Sequence, residues 1–380
     1  MFSKTKVTYI ISGIDKAPFF ETTFERTDRT KYDISVLLLN TGDSHLEQFL
    51  LEKEILCKRI VYRGKRDYIK ALYQCYRFLR KKKPPIIHVH LIDAGIVGLF
   101  AGWLARIKNR VYTRHGGSQK DFLKRGVKHD KFTNRFATHI IATCENVKDI
   151  LVNEEKVPPA KISVINLAFN MQGFLHPDEH VVKELKEKYN PGKRFPVIGV
   201  IARWVEWKGV QYIIPAFKEF LKENPNALLL LANANKGDYA PAIRKQLEEL
   251  QNDQYCLISF EKRFHELYRV FDQFVHVPTG KTYEAFGQIY IEAMAAGVPS
   301  IFTMTGIAPE IVKDHFNALV VAFRNTEQIH DAMRKLNTDI GLRNKISKNG
   351  RISVEGRFGF ERYMTGQARL YNKLLNQQVK

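Results

Sequence analysis

The sequence predicts an α/β protein of two doubly wound domains, each a parallel sheet with helices on both faces. Three observations lead there. Short runs rich in Val, Ile and Leu recur along the 380 residues, as strands buried on both faces require. Longer amphipathic segments separate them, the order expected when helices cover a parallel sheet. A charged, proline-bearing stretch parts the chain into halves of similar size.

In the first domain, residues 1–172, the expected strands are "KVTYIIS", "DISVLLLN", "IIHVHL", "RVYTRH", "THIIATC" and "ISVINLAF". The run near the N-terminus is too short for a secretory core and reads as a first strand. Residues 86–107 approach membrane-spanning length, but His88, His90, Asp93 and Arg106 interrupt them. The reading is a strand over 86–91 and a helix over about 94–107. His88 and His90 are expected to alternate on that strand, so that only one faces any given side, in core or capping roles.

Residues 173–195 read as a linker with one exposed helix. The second domain, residues 196–357, follows with "FPVIGVIAR", "ALLLLANAN", "YCLISF", "QFVHVP", "SIFTM" and "ALVVAF" as strands. Helical spacing in residues 358–380 predicts a terminal helix; that it packs back on the first domain is an expectation the spacing itself does not supply. Four cysteines without a C-x-x-C pair argue against a disulfide framework or a zinc site, and a reducing cytoplasm is expected.

The formal charge of +20 asks for an anion: nucleic acid, phospholipid or a phosphorylated substrate. The clusters "RGKRDYIKALYQCYRFLRKKKPP" and "TRHGGSQKDFLKRGVKHDKFTNRF" interleave cations with aromatics, which suits docking on an anionic membrane surface and equally suits a solvated basic face. No recognised nucleic-acid motif accompanies them, so nucleic acid is not an expected partner.

Ligands of doubly wound sheets bind outside the carboxyl ends of the strands. There the stretch "EAFGQIYIEAMAAGVP", residues 284–299, starts a helix around Gly287 and sets Glu284 and Glu292 on either side of that start. Free N–H groups at a helix start attract anions, and glycine lets a ligand approach the backbone. At about 1.5 Å per residue the two glutamates stand roughly 7 to 8 Å apart along the axis, near the span of a diphosphate. Carboxylates accept paired hydroxyls, so sugar, diphosphate and ribose in line would fit, as in a nucleotide sugar. A solvated helix carrying two unrelated acids also fits the spacing.

This stretch resembles the E-x-F-G-x-x-x-x-E-A-M-A-x-G-x-P signature of retaining glycosyltransferases of the GT-B fold, family 4. "VIGVIARWVEWKGVQYIIPAF" and "TGIAPEIVKDHFNALVV" are similar to further blocks of that family in the right order, and "RVYTRHGG" is similar to its first-domain strand. The resemblance implies a metal-independent enzyme without a cofactor, taking a nucleotide sugar and a glycan or lipid-linked acceptor. It implies that Arg203 and Lys208 neutralise the diphosphate and that Glu284 holds the hydroxyls of the transferred sugar. Phe286, Gly287 and Gln288 would present backbone N–H groups, Glu292 would grip the ribose, and His115 would meet the sugar. Gly13 and Arg114 are carried as first-domain or acceptor-side residues. No convincing D-x-D follows a strand, so no metal is expected.

Two departures stand out: Gly13 is alone where the family has a Gly-Gly loop, and Asn233 and Asn235 stand where a G-x-G is usual. Two other readings stay open, a basic nucleic-acid-binding α/β protein and a GT-B relative such as a nucleotide-sugar epimerase.

Overall fold

The computed structural model describes residues 4–117 and 126–377. The chain divides into two compact units, Met1–Phe169 with Phe358–Lys380, and Asn170–Arg357.

The first unit is built on a seven-stranded sheet: β1 (Thr5–Ser12), β2 (Tyr32–Asn40), β3 (Leu56–Val61), β4 (Ile86–His90), β5 (Asn109–Arg114), β6 (His139–Ala142) and β7 (Ile162–Val164). Its spatial order is β3-β2-β1-β4-β5-β6-β7, and every pairing is parallel. All five residues of β4 are buried, the signature of a strand covered on both faces. Val7, Ile11, Val36, Leu38 and Val111 meet Phe20 and Phe24 in one core. Into the same core helix Phe360–Asn376 inserts Tyr363, Leu370 and Leu374. Full burial of each such side chain contributes about 1.5–3 kcal/mol.

The second unit repeats the plan with β8 (Val197–Ile201), β9 (Leu228–Ala232), β10 (Tyr255–Ile258), β11 (Gln273–His276), β12 (Ser300–Phe302) and β13 (Leu319–Val320). Their order is β10-β9-β8-β11-β12-β13, again all parallel. Helix Val210–Glu223 packs Ile213, Phe217 and Phe220 on the sheet, and helix Thr326–Thr338 adds Met333 and Leu336.

All twelve expected runs contain a strand. The thirteenth, β3, went unforeseen because it is an edge strand with Lys58 and Arg59 in its middle, and charge is how exposed edges avoid further pairing. Residues 86–107 hold β4 and helix Ile92–Leu104. Among the described residues no helix is long and apolar enough to cross a membrane. The stretch expected as a linker carries two helices, Gln172–Leu175 and Glu179–Tyr189, grouped with the second unit. Phe174 of the shorter one is buried against Tyr268, with ring centroids 5.6 Å apart.

Candidate active site

In an open parallel sheet the crevice forms where the strand order reverses. In the second unit that point lies between β8 and β11, and the loops leaving their carboxyl ends meet there. The loop after β8 carries Arg203 and Lys208, which flank the ring of Trp207: the Arg203 guanidinium carbon lies 5.9 Å and Lys208 Nζ 4.5 Å from its centroid. The Trp207 carbonyl accepts the Thr279 N–H at 2.9 Å, tying this loop to the one after β11. Gly209 makes the close passage possible. Its φ is +78°, and a Cβ would stand 2.0 Å from the Val277 oxygen.

The loop after β11 delivers Glu284, and Lys208 Nζ donates to its Oε1. The carboxylate is only 8% exposed. Burial alone would raise its pKa, but the Lys208 charge and His276 outweigh burial and hold it at about 2. His276, the last residue of β11, is 2% exposed and places Nε2 3.3 Å from the same oxygen.

The segment after β12 supports this loop from behind. Thr303 Oγ1 donates to the Pro278 carbonyl at 2.8 Å, Thr305 Oγ1 to the Lys281 carbonyl at 2.7 Å, and the Ile307 N–H to the Phe286 carbonyl at 2.8 Å. Gly306, at φ +60°, lies so close that a Cβ would meet the Phe286 oxygen at 2.7 Å. Thr303, Thr305 and Gly306, with the Ile307 N–H, are therefore the bracket that shapes the Glu284 loop.

Helix Gln288–Ala295 starts from Gly287, whose φ of +73° turns the chain into its first turn. Phe286 is buried and Gln288 exposed. Glu292, the fifth residue of this helix, is half-buried and accepts a hydrogen bond from Tyr268 Oη at 2.8 Å. Burial raises its carboxyl to about 7 against the hydrogen bonds from Tyr268 and Gln288. One unit thus brings together Arg203, Lys208, Glu284, Phe286, Gly287, Gln288 and Glu292. Asn233 and Asn235 have φ of +59° and +63°, so asparagine, the non-glycine residue that best tolerates this region, keeps the backbone form of the usual glycines.

In the first unit the strand order reverses between β1 and β4. A cavity of about 460 Å³ lies at the carboxyl ends of β1 to β4, lined by Gly13, Asp15, Asn40, Tyr62, Arg63 and Asp93 among others. Gly13 has φ +60° and donates its N–H to the Leu39 carbonyl at 3.0 Å. His115 follows β5, half-buried, and its Nε2 lies 3.0 Å from His90 Nδ1. Burial lowers its pKa to about 4, which keeps the ring neutral near pH 7.

His88 and His90 correct the expectation that only one would face any given side. Residues two apart on a strand share a face, and the two rings lie 4.2 Å apart. His88 joins Tyr371 Oη at 2.6 Å and Thr113 Oγ1 at 2.7 Å, within a buried polar network that includes Tyr9 and Gln367. Arg114 sits beneath the His115 loop, 2% exposed on its side chain, paired with Asp130 and Glu155 and donating to the carbonyls of Gly116 and Gly117. It shapes that loop from inside. The contacts of His276, Tyr268, Trp207 and the Thr303–Gly306 bracket escaped the sequence reading, although Trp207, Thr305 and Gly306 lie inside quoted blocks; the apolar run "QFVHVP" showed a strand and gave no sign of what its histidine touches.

Known proteins are similar to this chain in sequence and in fold. A family model described as Glycosyl transferases group 1 matches residues 181–353, and one described as Glycosyltransferase Family 4 matches residues 22–172. The capsular polysaccharide biosynthesis glycosyltransferase CapM of Staphylococcus aureus is 27% identical over 319 residues, 81% of this chain and 82% of that protein. The UDP-Gal:alpha-D-GlcNAc-diphosphoundecaprenol alpha-1,3-galactosyltransferase of Escherichia coli is 24% identical over 375 residues, 94% of each. Among solved structures, Anabaena HepE in complex with UDP and glucose superposes with a TM-score of 0.80 at 18% identity, covering 97% of this chain and 99% of that one.

Proposed function

The chain belongs to family 4 of the GT-B glycosyltransferases, and from that premise we propose that it moves a sugar, with retention and without a metal, from a nucleoside-diphosphate sugar to a glycan or lipid-linked acceptor in surface polysaccharide synthesis. The observation that carries this reading is the meeting of Arg203, Lys208 and Glu284 at the switch point beside the start of helix Gln288–Ala295. Cations and helix N–H groups suit a diphosphate, and carboxylates suit the polyols at its two ends.

In the reaction the bond from the sugar's anomeric carbon to the diphosphate breaks and its electrons leave with the phosphate oxygen. The acceptor oxygen forms the new bond on the same face, and its proton passes to the departing diphosphate. Arg203 and Lys208 neutralise that leaving group, so this chain's own side chains supply the charge that a metal supplies elsewhere. Glu284 orients the sugar hydroxyls, Glu292 the ribose, and neutral His115 the sugar under transfer. Phe286, Gly287 and Gln288 offer backbone N–H groups to the phosphates.

The acceptor is assigned to the first unit, where the cavity beside Gly13 holds Asn40 and Asp93 for hydroxyls and Arg63 for a phosphate. A capsule enzyme and an enzyme acting on a diphosphoundecaprenol-linked sugar among the relatives support a glycan or lipid-linked substrate. Helix Tyr68–Lys82 supports work at the cytoplasmic membrane face. Its Ile69 and Tyr73 are 80% and 57% exposed between the exposed Arg66, Lys70, Arg77 and Arg80, and the neighbouring helix exposes Trp103 at 50%.

A thermal-shift panel of nucleotide sugars tests the donor, because a ligand of the folded state raises the melting temperature with its concentration. Release of nucleoside diphosphate that depends on acceptor, an α-linked product by NMR and full activity in EDTA complete the expected result. An inverted linkage removes retention, and loss of activity in EDTA removes metal independence.

A further inference from the structure

The arrangement of Lys208, Glu284 and His276 contains one more function. Two groups converge on a single oxygen, Glu284 Oε1: the Lys208 ammonium and, 3.3 Å away, His276 Nε2. They are held very differently. Lys208 reaches the site on a flexible four-carbon stem from a loop, with its ammonium also over the Trp207 ring. His276 is fixed at the end of a central strand, with its ring edge against Tyr290 at 4.9 Å. Its Nε2 is buried and makes no hydrogen bond among the described residues, although a carboxylate oxygen lies 3.3 Å away. A buried nitrogen so close to a carboxylate and otherwise unused asks for a purpose.

We propose that His276 is the positioning residue that holds Glu284 when the donor's diphosphate takes Lys208 away. This inference rests on the donor-site reading above. In the empty site the single negative charge of Glu284 occupies Lys208. An incoming diphosphate carries more charge and draws the ammonium to itself, away from Glu284 Oε1. His276 Nε2–H then donates to Glu284 and keeps its second oxygen turned toward the sugar hydroxyls. The Thr303–Gly306 bracket fixes the loop while the lysine swings, so the exchange needs no backbone movement. His276 therefore serves recognition of the sugar and not of the nucleotide.

The test compares UDP and GDP with UDP-glucose, UDP-galactose and GDP-mannose by calorimetry on the full chain. A hydrogen bond to a charged group is worth enough to change affinity by about tenfold or more. His276→Leu is expected to weaken the intact nucleotide sugar by about tenfold and the bare nucleoside diphosphate by less than about threefold. His276→Gln, whose amide can still donate from nearly the same place, restores most of the difference and serves as the folded control. In protein labelled with 15N-histidine, the His276 Nε2 signal moves to a hydrogen-bonded position with nucleotide sugar. Equal weakening of both ligands, failure of Gln to rescue, or a stationary Nε2 signal overturns the inference alone. A wild-type protein that binds none of the five compounds overturns the donor-site reading, and this inference with it.

Discussion

Lys208 and Glu284 form an ion pair across the switch point of the second sheet, joining the loop after β8 to the loop after β11. Both side chains are largely buried, so the pair is screened little and each partner depends on the other. Lys208→Met strands the carboxylate and is expected to lower stability by roughly 3 kcal/mol, read from urea denaturation. Combining it with Glu284→Gln should recover a good part of that loss, because the buried charge is then gone. Independent, additive losses would show that the pair does not couple. If both residues act on the donor as proposed, each single variant lowers kcat/KM by about a hundredfold or more.

Glu292 supplies a pH signature. Its carboxyl is raised in the fold from 4.5 to about 7, so the folded chain binds this proton more tightly than the unfolded one. The stability contributed by the proton is full below 4.5 and is lost as pH rises through about 7. Nucleotide binding runs the other way, because accepting two ribose hydroxyls needs the ionised carboxylate. Melting curves over that window should show the unliganded protein losing stability relative to Glu292→Gln as pH rises. The shift produced by UDP or GDP should grow in the same interval. A ligand shift independent of pH, equal in Glu292→Gln, removes the ribose assignment.

Gly209→Ala places a methyl group against the Val277 carbonyl at a backbone angle that alanine resists. It should destabilise by more than about 1 kcal/mol and pull the Arg203–Lys208 loop away from Glu284. Calorimetric melting together with loss of nucleotide binding is the expected outcome. Unchanged melting would mean that the two loops do not meet so closely in solution.

The exposed face of helix Tyr68–Lys82 should carry membrane binding. Wild-type protein is expected to float with vesicles containing anionic phospholipid, to stay behind with neutral ones, and to lose the preference as salt is raised. Ile69→Asp with Tyr73→Asp should abolish flotation while leaving transfer to a water-soluble acceptor intact. Equal recovery on both vesicle types sinks the docking role.

His115→Ala is expected to lower kcat by about a hundredfold with little change in nucleotide affinity, as the proposed contact with the sugar and not the nucleotide requires. A loss expressed wholly in KM would contradict that role.

Much of this architecture was legible because parallel strands buried on both faces are nearly continuous apolar runs, and β1, β2, β4 and β9 all read that way. Strand β3 was not, since Lys58 and Arg59 break its pattern at an edge where solvent can take them. The proposed donor loop could be picked out through Glu284 and Glu292, whose spacing around a helix start is set by sequence. Its supports were hidden because they come from residues distant along the chain. His276 approaches Glu284 through a strand end, Tyr268 reaches Glu292 from a 3-10 turn, and Thr305 lies across from Lys281. The surroundings of Arg114 were hidden for the same reason: nothing near it in sequence announces the Asp130 and Glu155 that enclose it.

Helix Phe360–Asn376 closes a core whose other walls, from Val7 to Ala168, are translated before the whole of the second unit. A ribosome therefore releases the second unit in full before the first one can be finished, reversing the usual order in which domains mature during synthesis. Until the helix emerges, Tyr9 and His88 lack the Gln367 and Tyr371 that satisfy them, so the nascent N-terminal half is a natural client for chaperones.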